Sequence, residues 1–595
     1  MTSSAAEERP GVDASASTLP GEISLTRAIR SHPWRAFLAL TVLYVVAVTC
    51  LSSLKLLWLD ELFTLHVARL GSVAAIWHAL AMGADPNPPV IHVLVHFCRL
   101  LFGEREFALR LPAMVGYWIG LVSLFTYLRR RVPAEWALGG TVLSMTMAAF
   151  DYSFESRSYG IFYGLAMLAF LSWSETTETR HSRRSRYVWL LVMIAALGLG
   201  ISTNYFAVLA FLPITAGEVA RTVRLILKSR HDTYRNTEPN FLRLIDWRIW
   251  LGLALAISPL LVFLPLINRD IAQFAPHAWN KVSIDQVFDS YTEMVETILY
   301  PLLALFAVAA IKLLLFSPKM NGYAETAAND DAPRVLPVHE LVGIVFLMLY
   351  PFLGYLVASV RGGMLSPRFV IPVCFGFAVS GALTAYRLSG RSRIAGPVFL
   401  CFVLAWFVSR ESVVGYDYSE QKQCFHKVVD RLPLAFAGLP ADAPLAIPDP
   451  LMALTFQHYA PPVYASRAVF PVDFQAIRKF RRDDSPEQNL WAARSLYTLR
   501  IVPMATFQKT VGKYVVLASD GNWLLKDLDR HHYAEHRLPI NTRAGAIGGF
   551  TPLSHGLPVF YVADGVAVQT GPLSPELLPI PFRLQDNLPE SPDLQ

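Results

Sequence analysis

The sequence predicts a polytopic α-helical membrane protein with a soluble α/β domain at its C-terminal end. Hydrophobic residues make up 53% of the 595 residues and charged residues only 16%, and the mean hydropathy is +0.38. This is too apolar for an ordinary soluble protein of this length. Apolar windows recur up to about residue 410, whereas Pro, Asp, His and Arg become frequent beyond it. We therefore expect a polar tail over 1–35, a membrane domain over 36–410 and a soluble domain over 411–595.

About eleven apolar windows are predicted to cross the membrane. Each approaches the length needed to span roughly 30 Å of hydrocarbon. The first window is not a cleavable signal, because a polar, disordered tail precedes it and no small-residue cleavage site follows. The windows cover residues 37–54, 111–128, 134–149, 160–173, 187–200, 206–220, 249–266, 298–315, 341–360, 369–386 and 394–408.

Basic residues between the windows predict the orientation. The clusters are Arg27, Arg30 and Arg35 before the first window, Arg129 to Arg131 after the second, Arg183, Arg184 and Arg186 after the fourth, the basic stretch 221–248, and Arg387, Arg391 and Arg393 after the tenth. By the positive-inside rule these are cytoplasmic. The N-terminus is then cytoplasmic and the C-terminal domain extracytoplasmic, in a multi-pass protein of the plasma (inner) membrane. The net charge of +6 belongs mostly to these loops, so it gives no reason to expect a nucleic-acid partner.

This orientation holds only if the apolar stretch 89–102 does not cross. The stretch is short and carries His92, His96 and Arg99 at i, i+4 and i+7, which makes one polar stripe on a helix. We expect an amphipathic helix lying in the outer interface, with the stripe as its interfacial polar face. His92 and His96 are also candidate metal ligands together with Asp85, but no third His or Cys lies at ligand spacing.

Two adjacent carboxylates, Asp60 and Glu61, follow the first window in the sequence WLDELFTLHVAR. One interpretation makes Asp60 a helix N-cap, with Glu61 complementing the helix dipole. In the other, a carboxylate at the membrane edge takes a proton from an acceptor hydroxyl or amine while a nearby arginine holds a phosphate leaving group. Spacing alone leaves both open.

The predicted outer segments gather further acids, bases and hydrogen-bonding side chains at one membrane face, where they could build a single cleft. Alternatively, Arg368 binds a lipid head group. Glu155 and Tyr159 share a helix face, so the alternative for them is that they only pair with each other. A charge such as Lys281 in the segment 268–296 is expected to be solvated. The candidates are Asp85 in ADPNPPVIH, Glu155, Arg157 and Tyr159 in FDYSFESRSYG, Asn204 and Tyr205 in STNYF, and Arg368 in VRGGMLSPRF; the segment 268–296 adds the loop residues Arg269, Asp270, His277, Lys281 and Tyr291.

The order of these motifs resembles the GT-C superfamily of integral-membrane glycosyltransferases, in the bacterial branch related to protein O-mannosyltransferases and the lipid A aminoarabinose transferase. WLDE, then D-x-N-P-P from Asp85, then LFGEREFALRLPAMVGYW, then ESRSYG are similar to that family's first third. SPRFVIP resembles its later R-Y/F-x-x-P segment. The resemblance covers residues 36–410, and the order of the motifs is more specific than any one of them.

The resemblance implies an inverting transfer of a sugar from a polyprenyl-phosphate donor to an envelope acceptor (protein, lipid or glycan) outside the cytoplasm. Membrane lipids are the other expected partners, and a divalent cation is the only cofactor considered. The sequence departs from the family where Asn204 stands in place of a frequent histidine. The implied roles are catalytic base for Asp60 with Glu61 as support, donor-phosphate binding for Arg157, Tyr159 and Arg368, and acceptor, sugar or metal binding for Asp85, His92, Glu155, Asn204 and Tyr205.

Two other classes of function remain open from the sequence. A transporter or flippase of lipid-linked sugars would need charges at mid-depth in the membrane, whereas the apolar windows nearly lack Asp and Glu. A non-catalytic membrane scaffold, whose outer domain binds a partner, would keep its function after Asp60→Asn.

Overall fold

The computed structural model describes residues 24–232, 244–274, 282–315, 336–361, 364–389, 394–481, 483–519, 521–531, 535–538 and 558–565. Over these residues the chain is mostly helical, with one small sheet near the C-terminal end. Lys281, which was expected to be a solvated charge, and most of the tail 1–35 lie outside the described residues.

Seventeen helices precede the sheet in the described chain, joined in places by short 3₁₀ segments at Ala148–Phe154, Tyr205–Ala210 and Pro367–Phe369. They are α1 Ser24–Ser31, α2 Pro33–Leu54, α3 Leu59–Ala68, α4 Val73–Ala81, α5 Pro89–Phe102, α6 Glu106–Arg129, α7 Ala134–Met145, α8 Tyr159–Thr177, α9 Arg183–Thr203, α10 Phe211–Asp232, α11 Trp247–Ala256, α12 Ser258–Phe274, α13 Asp285–Leu315, α14 Val338–Met348, α15 Tyr350–Arg361, α16 Val373–Leu388 and α17 Ala395–Ala435.

Six of the described helical segments are long and apolar enough to cross a membrane, and a bent pair, α14 and α15, raises the number to seven. The pair is bent by 61°. All eleven predicted windows fall on helices or helix pairs, but several of those helices, such as α7 with 12 residues, are short. An integral membrane protein is therefore confirmed in outline, whereas the count of eleven spans stays a prediction.

Helices α6 and α8 pack closely at Gly116 and Gly164. A Cβ atom on Gly164 would overlap the carbonyl oxygen of Gly116, and one on Gly160 would lie 2.5 Å from the carbonyl oxygen of Ala113. Only glycine permits this approach of two backbones. The packing holds the start of α8, and with it Arg157 and Tyr159, against the start of α6.

Ion pairs join the helices at the end of the bundle that carries the basic clusters. Arg30 on α1 pairs with Glu135, and Arg131, after α6, pairs with Glu340. The helix α6 has 24 residues and is thus about 36 Å long. It runs from this end to the opposite one, where α3 and Arg110 lie. The predicted clustering of arginines at one end of the bundle is consistent with these contacts.

The C-terminal part folds into an α/β domain on a six-stranded sheet with the order β3-β2-β1-β4-β6-β5. The first four are parallel, and β6 and β5 add antiparallel. The predicted strand pieces PLAIPD, KYVVLASD and PVFYVAD coincide with β1, β4 and β6. The elements are β1 Leu445–Ala446, α18 Pro450–Tyr459, α19 Pro462–Ala465, β2 Ala468–Val472, α20 Phe474–Arg481, α21 Ser485–Ala492, a 3₁₀ segment Arg494–Leu496, β3 Arg500–Pro503, α22 Met504–Thr510, β4 Lys513–Ser519, α23 Trp523–Arg530, β5 Glu535–Arg537 and β6 Pro558–Asp564.

This α/β domain is joined to the membrane part by a continuous helix and a shared core. Helix α17 has 41 residues, so the boundary predicted at residue 411 falls inside it. Side chains of α3 to α5, such as Leu62 and Val95, share one buried hydrophobic cluster with domain residues such as Phe456. The hydroxyl of Tyr459 accepts from the backbone N–H of Leu57 (3.0 Å) and donates to Glu106 (2.9 Å). These contacts hold the domain against the loop that carries Asp60.

Candidate active site

Helix α3 begins at Leu59, so Asp60 and Glu61 both lie in its first turn. The backbone N–H of Trp58, at the cap position, donates to Oε2 of Glu61 over 3.4 Å. This is the return half of a capping box, in which an acidic residue three positions on satisfies the N-cap N–H. The alternative interpretation of Asp60 as the N-cap is therefore wrong. The capping contact is made by Glu61.

Glu61 is fully buried and has a structural set of partners. Arg110 donates to its two carboxylate oxygens from Nε and Nη2, each over 2.7 Å, and the backbone N–H of Ser156 donates over 2.6 Å. Burial alone would raise the pKa of Glu61, but the guanidinium of Arg110 outweighs it and lowers that pKa. Glu61 does not line the cavity described below. These contacts fix α3 against α6, and the expectation that Glu61 supports Asp60 in catalysis stays a prediction.

Asp60 faces the other way and meets Arg368. The guanidinium Nη1 of Arg368 donates to Oδ2 of Asp60 over 2.8 Å. The side chain of Arg368 is 18% exposed and that of Asp60 is 16% exposed. The rings of Trp58 and Tyr159 lie 5.7 Å from the same guanidinium, within cation–π range. Phe369, next to Arg368, stacks on Phe206 at 4.2 Å. The two aromatic contacts and the short 3₁₀ turn hold Arg368 over Asp60.

Arg157 and Asp85 form a second, more deeply buried ion pair. Nη1 of Arg157 donates to Oδ2 of Asp85 over 2.5 Å, to the hydroxyl of Thr64 over 2.9 Å and to the backbone carbonyl of Asp60 over 3.0 Å. Burial opposes ionisation of Asp85, but Arg157 and the neighbouring His92 overcome it and lower its pKa. Nη2 of Arg157 is 4.0 Å from Oδ2 of Asp60. Arg157 thus links the two carboxylates.

The polar stripe on α5 is turned toward the protein. His92 is fully buried with Nε2 3.3 Å from Oδ2 of Asp85, and Nδ1 of His96 is 2.8 Å from the backbone carbonyl of Ala68. The exposed side of α5 is apolar and includes Phe97 and Leu101. The histidines of the predicted interfacial polar face therefore meet protein groups, because a helix at a membrane exposes its apolar side to lipid and keeps its polar side for protein partners.

The same residues do not fit a divalent cation. Both oxygens of Asp85 are occupied, Oδ2 by Arg157 and Oδ1 by the backbone and side chain of Asn87 (3.0 and 2.6 Å). A guanidinium at 2.5 Å also repels a second positive charge. Among the residues that the structure describes, no group of three His, Cys, Asp or Glu side chains is arranged to hold a metal.

A chain of neutral hydrogen bonds links three of the predicted outer segments. The hydroxyl of Ser158 donates to Oδ1 of Asn87 (3.1 Å), the side-chain amide of Asn204 donates to Ser158 (3.0 Å), and Oδ1 of Asn204 accepts from the backbone N–H of Phe206 (2.9 Å). Asn204 therefore caps the 3₁₀ segment that carries Tyr205. Asn204 thus positions the 3₁₀ segment. An amide suits residue 204 because it donates with its nitrogen and accepts with its oxygen at the same time.

Glu155 makes its ion pair with a residue that is not among the candidates. Its carboxylate pairs with Lys55, whose ammonium lies 2.5 Å away, and the pair is buried. The backbone of Glu155 is extended and precedes α8, so the expected local pairing with Tyr159 on one helix face does not form. Glu155 is also absent from the cavity lining.

A mostly apolar cavity of about 510 Å³ lies where these segments meet. Of the predicted residues, Asp60, Arg157, Tyr159, Asn204, Tyr205 and Arg368 line it. Its apolar wall comes from α10, α12 and α15, with side chains such as Leu212, Leu264 and Val357. Asp270 on α12 and Ser485 and Asn489 on α21 also line it. Asp270 was noted in the sequence only as a loop charge, and no motif marks Ser485 or Asn489.

Comparison with known proteins agrees with the predicted resemblance. Residues 86–235 match the family model described as dolichyl-phosphate-mannose-protein mannosyltransferase. No curated protein matches the chain. Two solved structures of ArnT from Cupriavidus metallidurans have the same fold, both with a TM-score of 0.52 and 12% identity. The apo structure covers 89% of this chain and 98% of ArnT, and the structure bound to undecaprenyl phosphate covers 90% and 99%. The GT-C resemblance is thus confirmed.

Proposed function

Because the chain carries a GT-C family domain on an ArnT-like fold, we propose that it is an inverting glycosyltransferase. It moves a sugar from a polyprenyl-phosphate donor to an acceptor of the cell envelope. The observation that supports this most is the pair of Asp60 and Arg368, a carboxylate and a guanidinium that line one mostly apolar cavity. A base and a cation at one point are what a displacement at an anomeric carbon with a phosphate leaving group needs.

Asp60 is the general base in this proposal. Its carboxylate accepts the proton of an acceptor hydroxyl or amine as that oxygen or nitrogen attacks the anomeric carbon of the donor. The bond from that carbon to the phosphate oxygen breaks in the same step, and its electron pair leaves with polyprenyl phosphate. A single displacement of this kind inverts the configuration at the anomeric carbon.

Arg368 is the main cation for the leaving phosphate. It is more accessible than Arg157, with 18% against 4% of its side chain exposed. Arg157 is also already engaged by Asp85, Thr64 and the backbone of Asp60. We therefore assign Arg157 chiefly to positioning Asp60 and Asp85, with Tyr159 beside Arg368 at the phosphate.

The apolar wall of the cavity is suited to the lipid part of the donor. Side chains of α10, α12 and α15 extend from the ion pair along helices that are apolar enough to span a membrane. The undecaprenyl phosphate bound to the similar ArnT structure supports a donor of this class. With the basic clusters on the cytoplasmic side, the cavity and the α/β domain face the extracytoplasmic side of the inner membrane.

The test is turnover by purified, nanodisc-reconstituted protein supplied with a panel of radiolabelled polyprenyl-phosphate monosaccharides and envelope extract. We expect release of polyprenyl phosphate from at least one donor and a product with the opposite anomeric configuration. Retention of configuration would contradict the single displacement. An absence of turnover with every donor would contradict the proposal that the protein is a glycosyltransferase.

A further inference from the structure

The α/β domain contributes directly to the cavity through the first turn and a half of α21. Ser485 and Asn489 are four residues apart, so they lie on one face of this helix, and both line the cavity that contains Asp60 and Arg368. The domain is therefore part of the site's wall.

Buried contacts hold α21 in place. Arg481 donates to Oε2 of Glu487 over 2.5 Å, and the amide of Gln488 donates to Oδ2 of Asp484 over 3.0 Å. Asp484 and Glu487 are fully buried. Hydrogen bonds to buried carboxylates restrict the geometry of the backbone that carries them. Ser485 and Asn489 are thus presented from a rigid support.

The domain is equally fixed relative to Asp60. The ring of Tyr497 packs edge-on against His66 of α3 at 4.8 Å, and the hydroxyl of Thr455 donates to the backbone carbonyl of Leu57 over 3.2 Å. These contacts, with the bonds of Tyr459 described above, join the domain to both ends of the loop and helix around Asp60. The distance from α21 to the proposed base is therefore set by packing.

The side chain of Asn489 has an unused hydrogen-bond acceptor. Its Oδ1 atom is buried and has no hydrogen-bond partner among the residues that the structure describes. A buried carbonyl oxygen without a donor is unfavourable, and a ligand or an ordered water that donates to it removes this cost. The ligand group that suits Oδ1 is a hydroxyl or an amine, the groups that a sugar ring presents.

We propose that Ser485 and Asn489 bind the hydroxyl or amino groups of the sugar carried by the donor and so select which sugar is transferred. The proposal rests on the glycosyltransferase function above. The sugar must lie wholly inside the cavity between the phosphate at Arg368 and the acceptor atom at Asp60. The acceptor has to insert only its nucleophile. A polar group in the cavity wall therefore meets the donor sugar in every turnover.

The experiment compares Asn489→Ala and Ser485→Ala in the reconstituted full-length protein. Gln423→Ala, which removes an amide from the exposed face of α17, is the matched control. KM and kcat are measured for each polyprenyl-phosphate sugar, and equilibrium binding for the same donors and for polyprenyl phosphate alone. Loss of one hydrogen bond should raise the donor KM of Asn489→Ala roughly tenfold, leave binding of polyprenyl phosphate unchanged and narrow the preference among sugars.

Three results would overturn the inference. Donor KM and sugar preference could stay at wild-type values, the acceptor KM alone could rise, or binding of polyprenyl phosphate without sugar could fall as much as binding of the donor. The binding arm separates this inference from the function on which it rests. If the wild type turns over no donor, the proposed function fails. Sugar recognition is still supported if the wild type binds the sugar-bearing donor more tightly than polyprenyl phosphate alone and if Asn489→Ala abolishes that difference.

Discussion

Arg368 donates a hydrogen bond to the carboxylate of Asp60 over 2.8 Å, across 308 residues of sequence. This pairing joins the group proposed to take a proton and the group proposed to hold the leaving phosphate. A donor phosphate that binds Arg368 competes with Asp60 for the same guanidinium. Donor binding should then release the carboxylate toward the acceptor, so that the base becomes available only when the donor is present.

Replacement of Arg368 should weaken donor binding and slow turnover together. A hydrogen bond to a charged group contributes about 1.5 to 3 kcal/mol, so Arg368→Ala should reduce kcat/KM roughly 10- to 100-fold or more. Arg368→Lys should keep part of the wild-type kcat/KM through its positive charge. The recovery should be incomplete, because an ammonium lacks the two-pronged geometry of a guanidinium. Steady-state kinetics test this. Arg431→Ala, on the exposed face of α17, is the control, and equal kinetics for both alanine variants would refute the assignment.

Replacement of Glu61 should affect stability more than chemistry. Glu61→Gln leaves the buried guanidinium of Arg110 without its counter-charge, which costs about 3 to 5 kcal/mol. Thermal unfolding in detergent, followed by tryptophan fluorescence, should show a large drop in midpoint. Asp60→Asn should change the unfolding midpoint much less, because the Asp60 side chain is partly exposed in the cavity and is not fully buried as Glu61 is. A midpoint for Glu61→Gln equal to that of the wild type would contradict the structural role.

Acid should loosen the contact between α3 and the α/β domain through His66. Burial, with Arg69 and His458, lowers the pKa of His66 from 6.5 to about 3, so the folded protein holds the ring neutral. The unfolded chain binds the proton first, and the stability from this residue is complete above pH 6.5 and is lost as the pH falls toward 3. At pH 4.5, two units below the pKa of the unfolded chain, the loss should be about 3 kcal/mol.

Unfolding midpoints at pH 7.5 and 4.5 measure this effect. The wild type should lose more stability than His66→Gln between the two pH values, because the variant has no proton to bind at this position. An equal loss in the two proteins would show that His66 does not sense the change.

Much of the site follows from the order of apolar windows and basic loops. Helices that alternate in direction bring every second connection to the same end of the bundle. Asp60, Arg157, Asn204 and Arg368 therefore meet in one cavity, as the topology predicts. The motif order also indicated the GT-C fold, which the ArnT structures share at only 12% identity.

Other features depend on which face of a helix meets which neighbour. Asp60 and Glu61 are adjacent and about 100° apart on α3, and only packing decides that Glu61 is the buried, capping residue. The histidine stripe of α5 has the same periodicity whether the polar side faces water or protein, and here it faces Asp85. The contribution of Asn489 depends on how a separate domain docks, for which the local sequence carries no signal.

The most direct test of the central claim measures donor binding and turnover in the same Asp60→Asn preparation. Asp442→Asn, on the exposed surface of the α/β domain, is the control. The account predicts that Asp60→Asn binds the polyprenyl-phosphate sugar as tightly as the wild type or more tightly, because Arg368 is released, while turnover falls at least 100-fold. Turnover within a few-fold of the wild type, with the same donor affinity, would contradict the role of Asp60 as the base.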